Sequence, residues 1–216
     1  VLPPRDILRV SPTLRNPYAV QAAVGVQQVI AGAVVSADVV HLRGHDLLSL
    51  VDANAPSSLD KPAVRTVAQA DALRPIVPAP STFREIVTLG NEGQSWYRAL
   101  QIRASRSRGS VTAMGSYTLA RAWNLADYEL PEDSRNLAAE KGPASTDIRH
   151  AVTSALVWQV PGTGAVTRGW SVAGSLIARS GRPYTVTWGD DRTGTTQNDA
   201  RPDGRNTRRT GPYRTV

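Results

Sequence analysis

From Tyr18 onward the sequence alternates. Val20, Ala22, Val24 and Val26 take turns with Gln21, Ala23, Gly25 and Gln27. After a break at Ala31-Gly32, Ala33, Val35, Ala37 and Val39 oppose Ser36 and Asp38 as far as about Leu42. A period of two puts successive side chains on opposite faces, so these runs predict two strands, each half oily and half polar or small, joined by a very short turn. The period returns at Phe83 to Leu89. At Ser95 to Arg106 it sets Trp96, Leu100, Ile102 and Ala104 against Ser95, Tyr97, Gln101, Arg103 and Ser105. Ser107-Arg108-Gly109 predicts a tight turn, beyond which Val111, Ala113, Gly115, Tyr117 and Leu119 alternate with Thr112, Met114, Ser116 and Thr118. Ile148, Val152, Leu156 and Trp158 then oppose Arg149, Thr153 and Gln159 up to Pro161-Gly162-Thr163-Gly164. A last strand sets Trp170, Val172, Gly174, Leu176 and Ala178 against Ser171, Ala173, Ser175 and Arg179, and resumes through Tyr184, Val186 and Trp188.

The connections are as informative as the strands. Residues 44 to 82 hold five prolines and no sustained alternation, which predicts a long loop with a helical turn near Ala63 to Leu73. Residues 121 to 146 form a second long polar segment, and residues 189 to 212 are mostly Gly, Asp, Asn, Arg and Pro. Very short connections therefore alternate with very long ones. Bacterial outer-membrane barrels pair short periplasmic turns with long extracellular loops, and their strands need about 9 to 11 residues to cross. Soluble sandwiches run to shorter strands, about 5 to 6 residues.

The expected fold is all-β: an antiparallel up-and-down transmembrane β-barrel segment of about six strands. Residues 44 to 82, 121 to 146 and 189 to 212 are expected to be extracellular. Ala31-Gly32, Ser107 to Gly109 and Pro161 to Thr167 are expected in the periplasm. The apolar faces would meet outer-membrane lipid, and Gln21, Gln27, Asp38, Gln101, Arg103 and Arg149 would line the lumen. Tyr18, Trp96, Trp123, Trp158, Trp170, Tyr184 and Trp188 lie near strand ends, as an interfacial girdle requires.

Composition agrees and narrows the chemistry. Lysine is scarce, 2 residues against 23 arginines, while Val, Thr, Ser and Gly recur, which favours strands and turns. The net charge is +7. The one dense basic group is Arg201, Arg205, Arg208, Arg209 and Arg214, in a loop-like tail. It reads as solvated loop charge, and no nucleic-acid partner is expected. A soluble β-rich module using these basic loops on nucleic acid or polysaccharide is the alternative reading. Without cysteine there is no disulfide, thiolate metal site or Cys nucleophile. No apolar run approaches the 18 residues of a membrane helix, so strands are the only route across a bilayer. The amino terminus has neither a basic region nor an apolar signal core, which suits a chain that starts inside a longer one.

Catalytic and metal constellations are weak. His41, His45 and Asp46 suggest a metal pair, but i and i+4 positions on a strand stand about 13 Å apart. His150 beside Arg149 and Asp147 resembles a catalytic cluster and is better placed as a strand start. Asp190, Asp191, Asn198, Asp199 and Asp203 offer oxygens but miss the calcium-loop spacing. There is no phosphate-binding Gly-rich loop before a helix and no G-x-S-x-G elbow. No enzyme activity, cofactor or metal is expected, and no individual substrate-binding residue is singled out.

Several strings, in order, resemble one family. They are NPYAVQAAVGVQQVI, SWYRALQIRASRSRGSVTAMGSYTLARAWN, DIRHAVTSALVWQVPG, RGWSVAGSLIARSGRPYTV and NDARPDG. Together they are similar to the barrel of TonB-dependent receptors of the Oar-like, carboxypeptidase-regulatory-domain type, over most of residues 16 to 204. The matching motifs are Asn16 to Tyr18, Ser95 to Gln101, Ser116 to Thr118, Asp147 to His150, and Gly169 to Tyr184. DVVHLRGHDLL departs from the family's glycine-rich outward strand, and its Asp-Arg-Pro is spread over Asp199 to Pro202. The resemblance implies a partial barrel over residues 1 to 216, within a parent of about 22 strands around a plugged lumen. It also implies TonB coupling through a plug domain outside this sequence, and import of a scarce small molecule, peptide or glycan.

Overall fold

Alternation becomes six long strands. The computed structural model describes residues 5–57, 65–80, 82–125, 129–166, 168–197 and 200–215. In chain order the strands are β1 (Arg5–Val10), β2 (Tyr18–Ile30), β3 (Ala33–Asp52), β4 (Phe83–Arg108), β5 (Val111–Asn124), β6 (Gly142–Pro143), β7 (His150–Gln159), β8 (Ser171–Arg179), β9 (Pro183–Tyr184), β10 (Arg208–Arg209) and β11 (Tyr213–Thr215). A short helix, α1 (Val67–Asp71), and a 3-10 turn at Leu137–Glu140 lie in the connections. The main sheet runs β2-β3-β4-β5-β7-β8-β11, each strand antiparallel to its neighbour. The one exception to the antiparallel scheme among the described residues is β1, which pairs in parallel with the upper part of β4.

The expected short turns are present. Ile30 pairs with Ala33, leaving Ala31 and Gly32 as a two-residue turn with φ of 51° and 78°. Two consecutive positive φ values suit the twist of a hairpin, and an alanine in that position carries a modest steric cost. Between β4 and β5, Arg108 pairs with Val111, so the turn is Gly109-Ser110, one residue beyond the expected place, with Gly109 at φ 58°.

Four expectations need correction. β3 does not stop near Leu42 but runs on to Asp52, and residues 83 to 108 form one strand of 26 residues instead of two. The reason lies at Gly44 to Ser49, where the register with β4 shifts twice and Asp46 takes φ 53°. Bulges break the period of two, so the pairing continues while the alternation does not. At about 3.3 Å per residue β4 reaches roughly 85 Å, more than twice what a bilayer crossing needs, so these strands project outward. Val186 and Trp188 do not extend β8. Instead Tyr184 and Pro183 pair with Arg208 and Arg209 in a separate two-stranded ribbon. Finally, β1 and β11 are strands in segments that carry no alternation. The helical turn appears as α1, where Thr66 and Gln69 form a reciprocal capping box; Ala63 and Val64 lie outside the described residues.

Burial is inverted relative to a soluble protein. Among the described residues the buried apolar side chains are alanines and a few prolines, and the largest fully buried side chains are Asn54, Asp147 and Pro56. Val24, Val26 and Leu156 are 72%, 74% and 49% exposed. Removing such a side chain from water is worth about 1.5–3 kcal/mol, so a whole sheet face of them requires a cover.

Candidate functional site

Register sorts the side chains onto two walls. On one face, neighbours across the sheet are Val24, Val39, Leu100, Leu119 and His150, and next to them Val26, Ala37, Ile102, Tyr117, Val152 and Ala178. On β5 this face is Val111, Ala113, Gly115, Tyr117 and Leu119, uncharged over eight residue steps or about 26 Å, close to the apolar band of an outer-membrane barrel. On neighbouring β4 it ends near the short turn in Arg106 and Arg108, opposite Ala113 and Val111. The opposite face carries Gly25, Asp38, Gln101 and Thr118 in one row and Gln27, Ser36, Arg103, Ser116 and Thr153 in the next. Gln21, Gln27, Asp38, Gln101 and Arg103 thus share one wall, as anticipated. Arg149, expected with them, sits at the bend before β7, where the alternation has not yet begun, and borders a groove with His41, Arg98 and Arg121 of the apolar face.

This polar wall is cross-linked. Arg103 donates to Asp38 Oδ2 at 3.1 Å and to Gln101 Oε1 at 2.5 Å, and the Ser116 and Thr153 hydroxyls meet at 2.6 Å. Gly25 leaves the space that the Asp38 carboxylate fills; any Cβ there would collide with it.

The aromatic residues divide by height. Tyr18, Trp96 and Trp123 mark the outer edge of the apolar face: Trp96 lies opposite Trp123, and Tyr18 stacks on His45 at 5.0 Å. Trp158 and Trp170 mark the edge near the short turns, with Trp170 Nε1 donating to Val166 O at 2.7 Å. Tyr184 and Trp188 do not join the girdle. They belong to the loop layer, where the Arg192 guanidinium lies 3.9 Å from the Trp188 ring centroid.

Above the strands the long connections are ordered by buried polar contacts. Asn54 holds its loop by accepting from Ile76 N at 2.8 Å and donating to Ile76 O and Arg84 O. The Arg74 side chain is fully buried between Asp52, at 2.8 Å, and Asp71, at 3.2 Å. Arg201 is clamped by Glu132 at 3.0 Å and Glu140 at 2.5 Å, and Arg205 donates to Glu140 O and Asn124 O. Burial works against the Arg201 charge, but the two carboxylates outweigh it and hold the guanidinium pKa above its ordinary value. Glu85 has the opposite balance. Burial raises its pKa, only partly offset by the hydrogen bond from Gln197, with Asp6 and Asp52 adding to the rise. A cavity of about 390 Å³ lies in this layer, lined by Glu140, Tyr184, Thr185, Arg201, Arg205 and Asn206 among others.

The suspected chemical clusters disperse. His41 lies on the apolar face opposite Arg98, His45 packs on Tyr18, and Asp46 pairs with Arg15 at 3.5 Å. Asp147 turns into the loop layer, accepting from Ala122 N at 2.6 Å and from Arg209, while His150 meets the Tyr117 hydroxyl at 2.8 Å. Asp191 accepts from the backbone amides of Gly194, Thr195 and Thr196; Asp190 pairs with Arg192 and Asp203 with Arg208. Asn198 and Asp199 lie outside the described residues. In the basic tail, Arg201, Arg205, Arg208 and Arg209 are all engaged within the chain, which removes them as a free basic patch; the Arg214 side chain lies outside the described residues. Sequence reasoning missed the buried Asn54, Arg74, Glu132 and Glu140. A local signal existed only for Arg74, three residues from Asp71.

A sheet with an oily outer wall, a polar inner wall, two aromatic edges and long ordered loops at one end defines a segment of outer-membrane barrel wall. Residues 1–215 match the family described as outer membrane beta barrel domain, and the chain belongs to that family. Among solved structures, the outer membrane transporter YddB from Escherichia coli is similar, with a TM-score of 0.50 and 13% sequence identity over 82% of this chain. The chain spans 22% of the length of that transporter. No curated protein matches it. The protein is located in the outer membrane, with the short turns in the periplasm and the long loops outside the cell.

Proposed function

We propose that this chain is part of the wall of a TonB-dependent receptor of the Oar-like type, which binds a scarce substrate on its outer loops and imports it through the lumen. The observation that carries this is the loop layer. Buried ion pairs hold it over the polar wall, around a cavity whose lining offers hydrogen-bonding groups more than open charge. A passive pore has no need for so much fixed structure over its mouth; a receptor that must present a preformed site does. The open sheet supports the rest. Among the described residues β2 pairs with β3 alone, so an edge of unpaired backbone faces lipid unless further strands cover it. The role is binding and passage, not catalysis. The transported class, whether small molecule, peptide or glycan, would be read by the loops.

Coupling to TonB is tested by photo-cross-linking in cells expressing the full-length protein. An adduct with TonB is expected. A correctly inserted protein that yields none would reduce the function to a passive pore. Loop placement is tested by cysteine labelling of intact cells. Val77→Cys and Asp190→Cys, both exposed, are compared with Arg108→Cys at the short turn. The first two should react with an impermeant maleimide and the third only after permeabilisation.

A further inference from the structure

One row of the lipid-facing wall is cationic. His41 lies directly across from Arg98, and Arg98 directly across from Arg121. Like charges placed opposite each other in a sheet repel, and among the described residues no carboxylate relieves Arg98 and Arg121. Arg98, Arg121 and Arg149 have no ion-pair or hydrogen-bond partner for their side chains among the described residues, and no Asp or Glu occupies the outward positions of the neighbouring rows. The row above adds Arg43 and Lys141, 5.9 Å and 4.5 Å from the Trp96 ring centroid. The row below is Val39, Leu100 and Leu119. Between the rows runs a groove of about 580 Å³ bordered by Arg98, Arg121 and Arg149, with His41 beside them, on its polar side and by Val39, Leu100 and Leu119 on its apolar side.

We infer that this groove binds a phosphorylated lipid of the outer leaflet, its phosphates on Arg98 and Arg121 and its acyl chains over Val39, Leu100 and Leu119. The charge pattern decides the class of occupant. Guanidinium forks match phosphate oxygens and are costly to leave unpaired beside hydrocarbon. The height decides the leaflet, because the row lies one step below the Trp96–Trp123 edge, on the side of the extracellular loops. Two opposed arginines suit a lipid carrying more than one phosphate.

The test reconstitutes the full-length protein in phosphatidylcholine nanodiscs and titrates in diphosphoryl lipid A or its dephosphorylated counterpart, with retained lipid read by native mass spectrometry. The wild type is expected to retain the diphosphoryl form selectively. The pair R98Q/R121Q is expected to lose roughly tenfold or more of that retention, and R98K/R121K to lose less. Equal retention of the dephosphorylated lipid by the wild type would overturn the inference without recourse to any variant. So would unchanged retention by R98Q/R121Q. If inorganic phosphate alone bound as tightly as the lipid, the groove would be a phosphate site and the lipid assignment would fail.

Discussion

Arg201 shows how this protein spends buried charge. Its side chain is 8% exposed and faces Glu132 and Glu140, 4% and 5% exposed. Replacing it with methionine leaves two buried carboxylates without a counter-charge, at a cost of about 3–5 kcal/mol. Amide exchange should rise in residues 129–145 and 200–207 of R201M while β4 and β5 stay protected. Glu85 makes a prediction of opposite sign. A carboxyl group whose folded pKa is raised above its ordinary 4.5 contributes stability that is present below that value and is lost as pH rises through the folded pKa. E85Q, which cannot ionise, should therefore raise the urea midpoint of the loop layer at pH 7 and leave it nearly unchanged at pH 4. On the inner wall, Gly25→Val would displace the Asp38 carboxylate and release Arg103 from its 3.1 Å contact.

At the scale of elements, the two faces of a strand should respond differently to the same substitution. Leu156→Arg puts a charge on the lipid side of β7 and should cost about 2–4 kcal/mol if it lies near the midplane. Thr153→Arg, on the polar side, should leave the folded fraction in lipid vesicles little changed. This division was legible in the sequence because half-buried strands need alternation, and Val20 to Val26 or Val111 to Leu119 have almost no other way to fold. The upper parts of β3 and β4 were not legible. Beyond the bilayer both faces of a strand are wet or covered by loops, so nothing enforces a period of two, and the bulges at Gly44 to Ser49 shift what period remains. The loop layer was still less legible, since Glu132, Glu140 and Arg201 meet across more than sixty residues of chain and no local pattern announces them.

For the whole molecule, the inversion of burial is the fact that organises the rest. Among the described residues alanines and a few prolines are the buried apolar side chains, valines and leucines face outward, and asparagine, arginine and carboxylates are enclosed by the loops. Such a chain is stable only where hydrocarbon covers one wall and water or a plug the other. The direct test scans single spin labels from Ala151 to Gln159 along β7 in the full-length protein reconstituted in lipid. The expected result is a period of two: oxygen collisions dominate at Val152, Ser154, Leu156 and Trp158, and a water-soluble nickel complex reaches Ala151, Thr153, Ala155 and Val157. A reversed phase, or nickel accessibility with no alternation, would contradict a barrel wall.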